Sequence, residues 1–251
     1  MPAVFLYGIV NASPDSAVAE SVVVGPDEAV ARARQLLADG ADGLDLGGQG
    51  STDQATVVDW TVEWARIEQI VPALAALGVD VSIDSWRPEV VARALQAGAT
   101  VINAADGMQQ EAMWEIASEF DVPIVLPYLS GPNPKDLAEL HSDPITAMIG
   151  FFEDRLRVAD RYGLRDRCIV DPGTGFAPIN WARSDPYTYQ EIVFTQVSEL
   201  RRFGLPLYIA LPYAPEQEPL LEIVLRHRPE FGRCHRPAAV RRVERAVLAT
   251  D

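Results

Sequence analysis

The feature that most constrains this chain is an alternation that recurs eight times: a short apolar, β-branched run, then a longer amphipathic stretch. Runs of that kind form parallel strands buried on both faces, and the amphipathic stretches between them supply the covering helices. Strands are predicted over 3–10, 43–48, 80–84, 100–105, 123–128, 168–172, 206–211 and 231–235. Helices are predicted over 27–39, 57–77, 88–97, 110–119, 143–163, 186–203, 216–227 and 237–249. In the first helix Asp27 suits the positive N-terminal end, Ala29, Val30, Ala33, Leu36 and Leu37 make an apolar stripe, and Gly40 offers a left-handed stop. Pro88 likewise suits a first helical turn.

Eight βα units in 251 residues predict an α/β fold closed as a (β/α)8 TIM barrel, since closure leaves neither sheet edge unpaired. No repeat, low-complexity tract or Gly/Ser linker interrupts the sequence, so the barrel is expected to be a single domain over 1–251, with 130–136 as an exposed loop. The formal charge of −15 and the lack of a basic cluster argue against a nucleic-acid partner. No apolar run approaches the ~20 residues that cross a bilayer, and no basic leader opens the sequence, so a cytoplasmic protein without a membrane partner is expected. Cys168 and Cys234 lack metal-ligand spacing and read as reduced thiols.

In a barrel of this type the active site lies at the C-terminal rim of the strands. There the sequence turns polar. Strand 1 ends at Asn11, inside "GIVNASPDS"; strand 3 ends at Asp84 and Ser85, strand 4 at Asn103 and Asp106, strand 6 at Asp171, and strand 8 at Arg233 and His235, while Asp45 sits within strand 2. Any one of these fits a turn or a helix cap. Their convergence from separate strands points to a site. "DPGTGF" (171–176) and "GGQGST" (47–52) are weak signals alone, His141 and His227 read as surface or packing residues, and Trp60, Trp64 and Trp114 read as helix packing.

Taken together, "GIVNASPDS", "GADGLDLGGQGST", "VSIDSWRPEVVARALQAGATVINAADG", "CIVDPGTGF" and "GRCH" resemble, in order and spacing, the strand signatures of the dihydropteroate synthase family of pterin-binding barrels. The resemblance implies a transferase that binds a pterin or reduced folate through Asp84, Asn103 and Asp171, with Phe176 as a wall. It implies that the Asp171 carboxylate accepts hydrogen bonds from the pterin's amino and ring nitrogens, which suits an edge with adjacent donors, while an amide such as Asn103 meets a mixed edge. Asn11 would face the metal or pyrophosphate side, with Mg²⁺ as the ion, and Arg233 and His235 would hold anionic oxygen. A homodimer is implied as well.

The sequence also departs from the family. The second loop reads Ser51-Thr52-Asp53 where the family has Ser-Thr-Arg, and strand seven runs into Leu211-Pro212-Tyr213-Ala214 where Ser-Arg-Lys is usual. Strand five ends Pro127-Tyr128 in place of Met-His, and the Gly pair expected after Asp15-Ser16 is missing. The losses fall on the pyrophosphate and aminobenzoate side, where one preorganised donor contributes about 3–4 kcal/mol. They argue against the standard p-aminobenzoate condensation; the first reading is transfer of a pterin-borne methylene to an amine or other nucleophile, and the missing cations favour its one-carbon alternative. Close alternatives are one-carbon transfer from a reduced folate and a pterin-binding paralogue without catalysis. Tyr128, Tyr213 and Asp53 would rim the site of the unknown nucleophilic second substrate.

Overall fold

The computed structural model describes residues 3–16, 18–52, 55–184, 186–212 and 214–249. Eight parallel strands appear where the alternation placed them: β1 (Phe5–Asn11), β2 (Gly43–Gly47), β3 (Val81–Ser85), β4 (Val101–Ala104), β5 (Ile124–Pro127), β6 (Cys168–Asp171), β7 (Tyr208–Ala210) and β8 (Phe231–Cys234). They pair in sequence from β1 to β6, β8 joins β1 to β7, and a bridge between Val170 and Leu207 closes the ring. The (β/α)8 barrel follows from that closure.

Helices wrap the ring: α1 (Gly25–Ala38), α2 (Trp60–Ile67), α3 (Ile70–Ala75), α4 (Pro88–Gln96), α5 (Glu111–Phe120), α6 (Pro144–Tyr162), α7 (Ile179–Ser184), α8 (Pro186–Gln196), α9 (Glu218–Arg226) and α10 (Pro237–Leu248). The expected stripe of α1 is buried at Ala29, Ala33 and Leu36. A Cβ on Gly8 of β1 would come within 2.9 Å of the Leu36 side chain, so the glycine sets how closely α1 seats on the sheet.

Two expected helices are divided. The stretch predicted over 57–77 breaks between Ile67 and Ile70, because Pro72 has no N–H for the carbonyl four residues earlier and its ring crowds that carbonyl. The stretch predicted over 186–203 tightens into a 3₁₀ helix at Val197–Phe203, which ends on Gly204 in the left-handed region. The short helix α7 lies between predicted elements, where the sequence pattern gives no helix.

Strand periodicity sorts the barrel interior into layers. Tyr7, Val101, Val125, Ile169 and Tyr208 form a compact cluster with Phe5 and Phe231. Two residues further along β4, β6, β7 and β8 stand Asn103, Asp171, Ala210 and Arg233, so the same alternation that directs the apolar residues inward places these one layer nearer the rim. The aromatic and aliphatic cluster plugs the barrel, and a polar layer lies on it.

Candidate active site

Strand register aligns the polar residues. Asn11 pairs with Gly47, Gly47 with Asp84, and Asp84 with Asn103, while Pro127 pairs with Asp171 and Ala210 with Arg233. Residues far apart in sequence therefore share neighbouring rungs at one end of the barrel. A cavity of about 620 Å³ opens there, with Asn11, Asp45, Asp84, Phe176, Arg233 and His235 among its walls.

Asp45 is the hub of its floor. Only 1% exposed, it accepts hydrogen bonds from Ser82 Oγ at 2.7 Å, from Asn103 Nδ2 at 3.2 Å and from Arg233 Nη1 at 3.3 Å. The same Arg233 nitrogen also donates to Asp84, so one guanidinium serves two carboxylates. Its ring neighbour is Phe176, 5.8 Å from the guanidinium carbon to the ring centroid. Burial would favour a neutral arginine, but the facing carboxylates of Asp84 and Asp45 outweigh it and raise the Arg233 pKa. Arg233 is locked in its charged form.

Burial shifts two of the acids. Burial raises the Asp84 carboxyl from 3.8 to about 6 against the pull of Arg233. Asp171, 2% exposed, is raised from 3.8 to about 7, again by burial first, with Arg233 and the hydrogen bond from Gly173 N opposing. That bond spans 2.8 Å and fixes one Asp171 oxygen in the turn after β6. The turn requires glycine: Gly173 has φ +65°, and a Cβ there would lie 2.0 Å from the Tyr128 carbonyl oxygen.

At the rim, Asn11 Nδ2 donates to Ser21 Oγ at 2.7 Å and to Ser16 Oγ at 3.1 Å. Strand 1 stops on an amide whose nitrogen is committed to two hydroxyls, which leaves its oxygen as the group available at the cavity wall. His235 also lines the cavity. Burial, then Arg233 and Arg32, lower its pKa from 6.5 to about 4, so the ring is uncharged at neutral pH. Among the described residues no group of three or more His, Cys, Asp or Glu side chains is placed to hold a metal ion.

Other residues expected at strand ends have structural roles. Asp106 accepts from the backbone N–H groups of Met108 and Gln110, which is the turn reading. Ser85 turns to Glu63, a fully buried acid of α2 that also receives Arg87. Tyr128 is 4% exposed and packs edge-on against Phe151 with ring centroids 5.4 Å apart, so it belongs to the core rather than to the rim. Tyr213 and Asp53 lie outside the described residues. Cys168 and Cys234 are buried free thiols whose pKa values burial raises to about 12.

Sequence reasoning missed three parts of the site. Asp45 carries no role in the sequence reading, although an acid inside the buried run "GLDLG" is a signal by itself. Gln49 holds the loop after β2, with its Oε1 accepting from Val58 N and its Nε2 donating to the carbonyls of Gly50 and Thr56, each at 2.9 Å. Gln190 and Gln217 wall the cavity from α8 and from the loop after β7, and no motif pointed to them.

A family model described as "Pterin binding enzyme" matches residues 7–210. The type-2 dihydropteroate synthase of Escherichia coli is 32% identical over 209 residues, covering 82% of this chain and 75% of the relative. The chain belongs to the dihydropteroate synthase family. A dihydropteroate synthase of Synechocystis is 33% identical over 211 residues, covering 82% of this chain and 70% of that one. Among solved structures, a Yersinia pestis dihydropteroate synthase in a sulfonamide drug complex superposes with a TM-score of 0.83 at 25% identity, covering 99% of this chain and 94% of the other. A Thermus thermophilus dihydropteroate synthase in complex with 4-aminobenzoate gives 0.82 at 25% identity, with 99% and 95% covered. As a dihydropteroate synthase-like barrel, the protein is a pterin-binding transferase. Arg233 and His235 lie beyond the span that the family model matches.

Proposed function

We infer that this barrel joins a pterin-borne methylene group to an amine or another nucleophile. The observation that carries the reading is the meeting of Asp84 and Asn103 with the Asp45–Arg233 hub at one end of the barrel, where β6 also ends at Asp171. In this reading Asp171 accepts two adjacent donors of the pterin's aminopyrimidinone edge, Asn103 meets a mixed edge, Asp84 accepts from a further ring donor, and Phe176 packs against the heterocycle. Asn11 offers its Oδ1 to the pyrophosphate side, where it would be the protein's oxygen ligand for Mg²⁺. When bound, that ion neutralises charge on the departing pyrophosphate. His235 gives that side an uncharged hydrogen-bonding ring, and Arg233 reaches anionic oxygen by releasing Asp84. The reading includes a homodimer in solution.

A second reading, one-carbon transfer from a reduced folate, is favoured by one observation: the Arg233 charge is already matched by two carboxylates, which leaves little positive potential for a leaving pyrophosphate. Incubation with dihydropterin pyrophosphate and amines, in parallel with methylene-tetrahydrofolate and the same amines, separates the two by mass spectrometry of the products. Adducts from the pyrophosphate ester support the first reading, and adducts from the folate alone support the second. Tight pterin binding with no product from either would favour the non-catalytic paralogue.

A further inference from the structure

Two walls of the cavity are held in different ways. On the side of α8 an amide pair serves, with Gln217 Nε2 donating to Gln190 Oε1 at 3.3 Å and Gln190 Nε2 donating to the Thr174 carbonyl at 3.3 Å. On the side of β2 the wall is Gln49, Gly50, Ser51 and Thr52, a stretch of loop without regular structure. Such a stretch keeps one shape only where groups outside it satisfy its backbone.

Charged side chains from three other loops do so. From the loop after β3, Arg87 donates to the Val58 carbonyl while it pairs with the buried Glu63. From the loop after β1, Asp15 Oδ2 accepts from Thr56 N at 3.0 Å. From the loop after β5, Lys135 Nζ donates to the Ala55 carbonyl at 2.8 Å and also to the Thr52 carbonyl. The Ala55 carbonyl and the Thr56 N–H belong to one peptide group. That group is gripped at its oxygen by a cation and at its nitrogen by an anion, and hydrogen bonds of this charge-assisted kind are the stronger ones. Gln49 carries the constraint into the wall, since its Nε2 donates to the carbonyls of both Thr56 and Gly50 at 2.9 Å.

Lys135 reaches across from a braced base. Its own N–H donates to Asn133 Oδ1 at 2.9 Å, and Asp136 N donates to the Asn133 carbonyl at 3.1 Å. The turn closes so tightly that a Cβ on Gly131 would lie 1.8 Å from the Asp136 carbonyl oxygen. Its two ends are tied to neighbouring loops: Gln109 Nε2 donates to the Gly131 carbonyl at 2.7 Å, and the Asn180 amide donates to and accepts from the Leu140 backbone, each at 2.9 Å. The position of the ammonium is therefore set by the barrel and not by the loop that it holds.

We propose that Lys135 is a positioning residue of this site: with Asp15 it clamps the Ala55–Thr56 peptide, and through Gln49 the clamp fixes the wall that a bound pterin meets. The inference rests on the pterin-binding reading above. Lys135 touches no ligand itself; it acts through the loop after β2.

Two measurements on the intact protein test it. Backbone hydrogen exchange reads the clamp without ligand: in Lys135→Met the amides of 49–58 should exchange about fivefold faster or more, with those of the barrel strands unchanged. Calorimetric titration with 6-hydroxymethylpterin reads the consequence: affinity should fall by about fivefold or more in Lys135→Met and return to within about twofold of the wild type in Lys135→Arg, whose fork can meet both carbonyls. Asp15→Asn should weaken binding in the same direction. The double variant should bind no worse than the weaker single one by more than about twofold, because the two grips share one peptide. Losses that multiply in the double variant overturn the proposal, as does an arginine variant as weak as the methionine one, or wild-type exchange or wild-type affinity in Lys135→Met. Failure of the wild type to bind the pterin would instead remove the underlying reading, and the exchange measurement would still decide whether the clamp exists.

Discussion

Replacing Asp171 by Asn should make this protein more stable and a worse pterin binder at once. The side chain is 2% exposed, and burial raises its carboxyl from 3.8 to about 7. A raised native pKa means that the folded state holds the proton more tightly than the unfolded state. The ionised group therefore costs stability, beginning above pH 4 and reaching its full value above about pH 7. A shift from 3.8 to about 7, at about 1.4 kcal/mol per unit, sets a ceiling of roughly 4 kcal/mol on that cost. Asparagine keeps the size and can still accept the hydrogen bond from Gly173 N, but it carries no charge at any pH. The variant should thus gain on the wild type by an amount that grows by about 2–3 kcal/mol between pH 5 and pH 8 in urea denaturation. Fluorescence titration with 6-hydroxymethylpterin should show affinity falling by about 10–100-fold, because a carboxylate acceptor facing ligand donors becomes an amide donor. A stability gain of the same size at both pH values would refute the desolvated carboxylate, and unchanged affinity would remove Asp171 from the pterin site.

Two further outcomes follow from single atoms. Gly173→Ala would drive a Cβ to 2.0 Å from the Tyr128 carbonyl oxygen in a left-handed turn, so the loop after β6 must shift; a loss of about 2 kcal/mol or more in denaturation, with weaker pterin binding, is expected, and wild-type values for both would contradict the turn geometry. Tyr208 is fully buried and its hydroxyl has no hydrogen-bond partner among the described residues, so Tyr208→Phe should leave Tm unchanged or raise it, by up to about 1–2 kcal/mol of stability; a clear fall in Tm would mean that the hydroxyl has a partner.

Much of this was legible in the sequence because two periodicities reinforce each other. The run "VIN" of β4 and the run "CIVD" of β6 each end in a polar residue two positions beyond an apolar one, and strand alternation alone places Asn103 and Asp171 on the inner face above Val101 and Ile169. Where helices end was harder to read, since Pro72 fits a helical stripe of apolar residues and breaks it through a missing donor and a crowded carbonyl. The amide wall was not legible at all: Gln190 and Gln217 sit in ordinary amphipathic surroundings, and what matters is their meeting in space at 3.3 Å, which no spacing along the chain encodes. Tyr128 misled for the opposite reason. Its place at the end of β5 suggests the rim, yet Phe151 of α6 offers a better surface for the ring.

The contact of Lys135 with the loop after β2 has a practical side. Apart from the amino terminus, an amine-directed label has one target in this chain, and that target bridges the loop after β5 to the carbonyls of Thr52 and Ala55. Acylation at that single nitrogen removes the donor that joins the two loops, so one modification on the whole protein severs their contact without any engineered change.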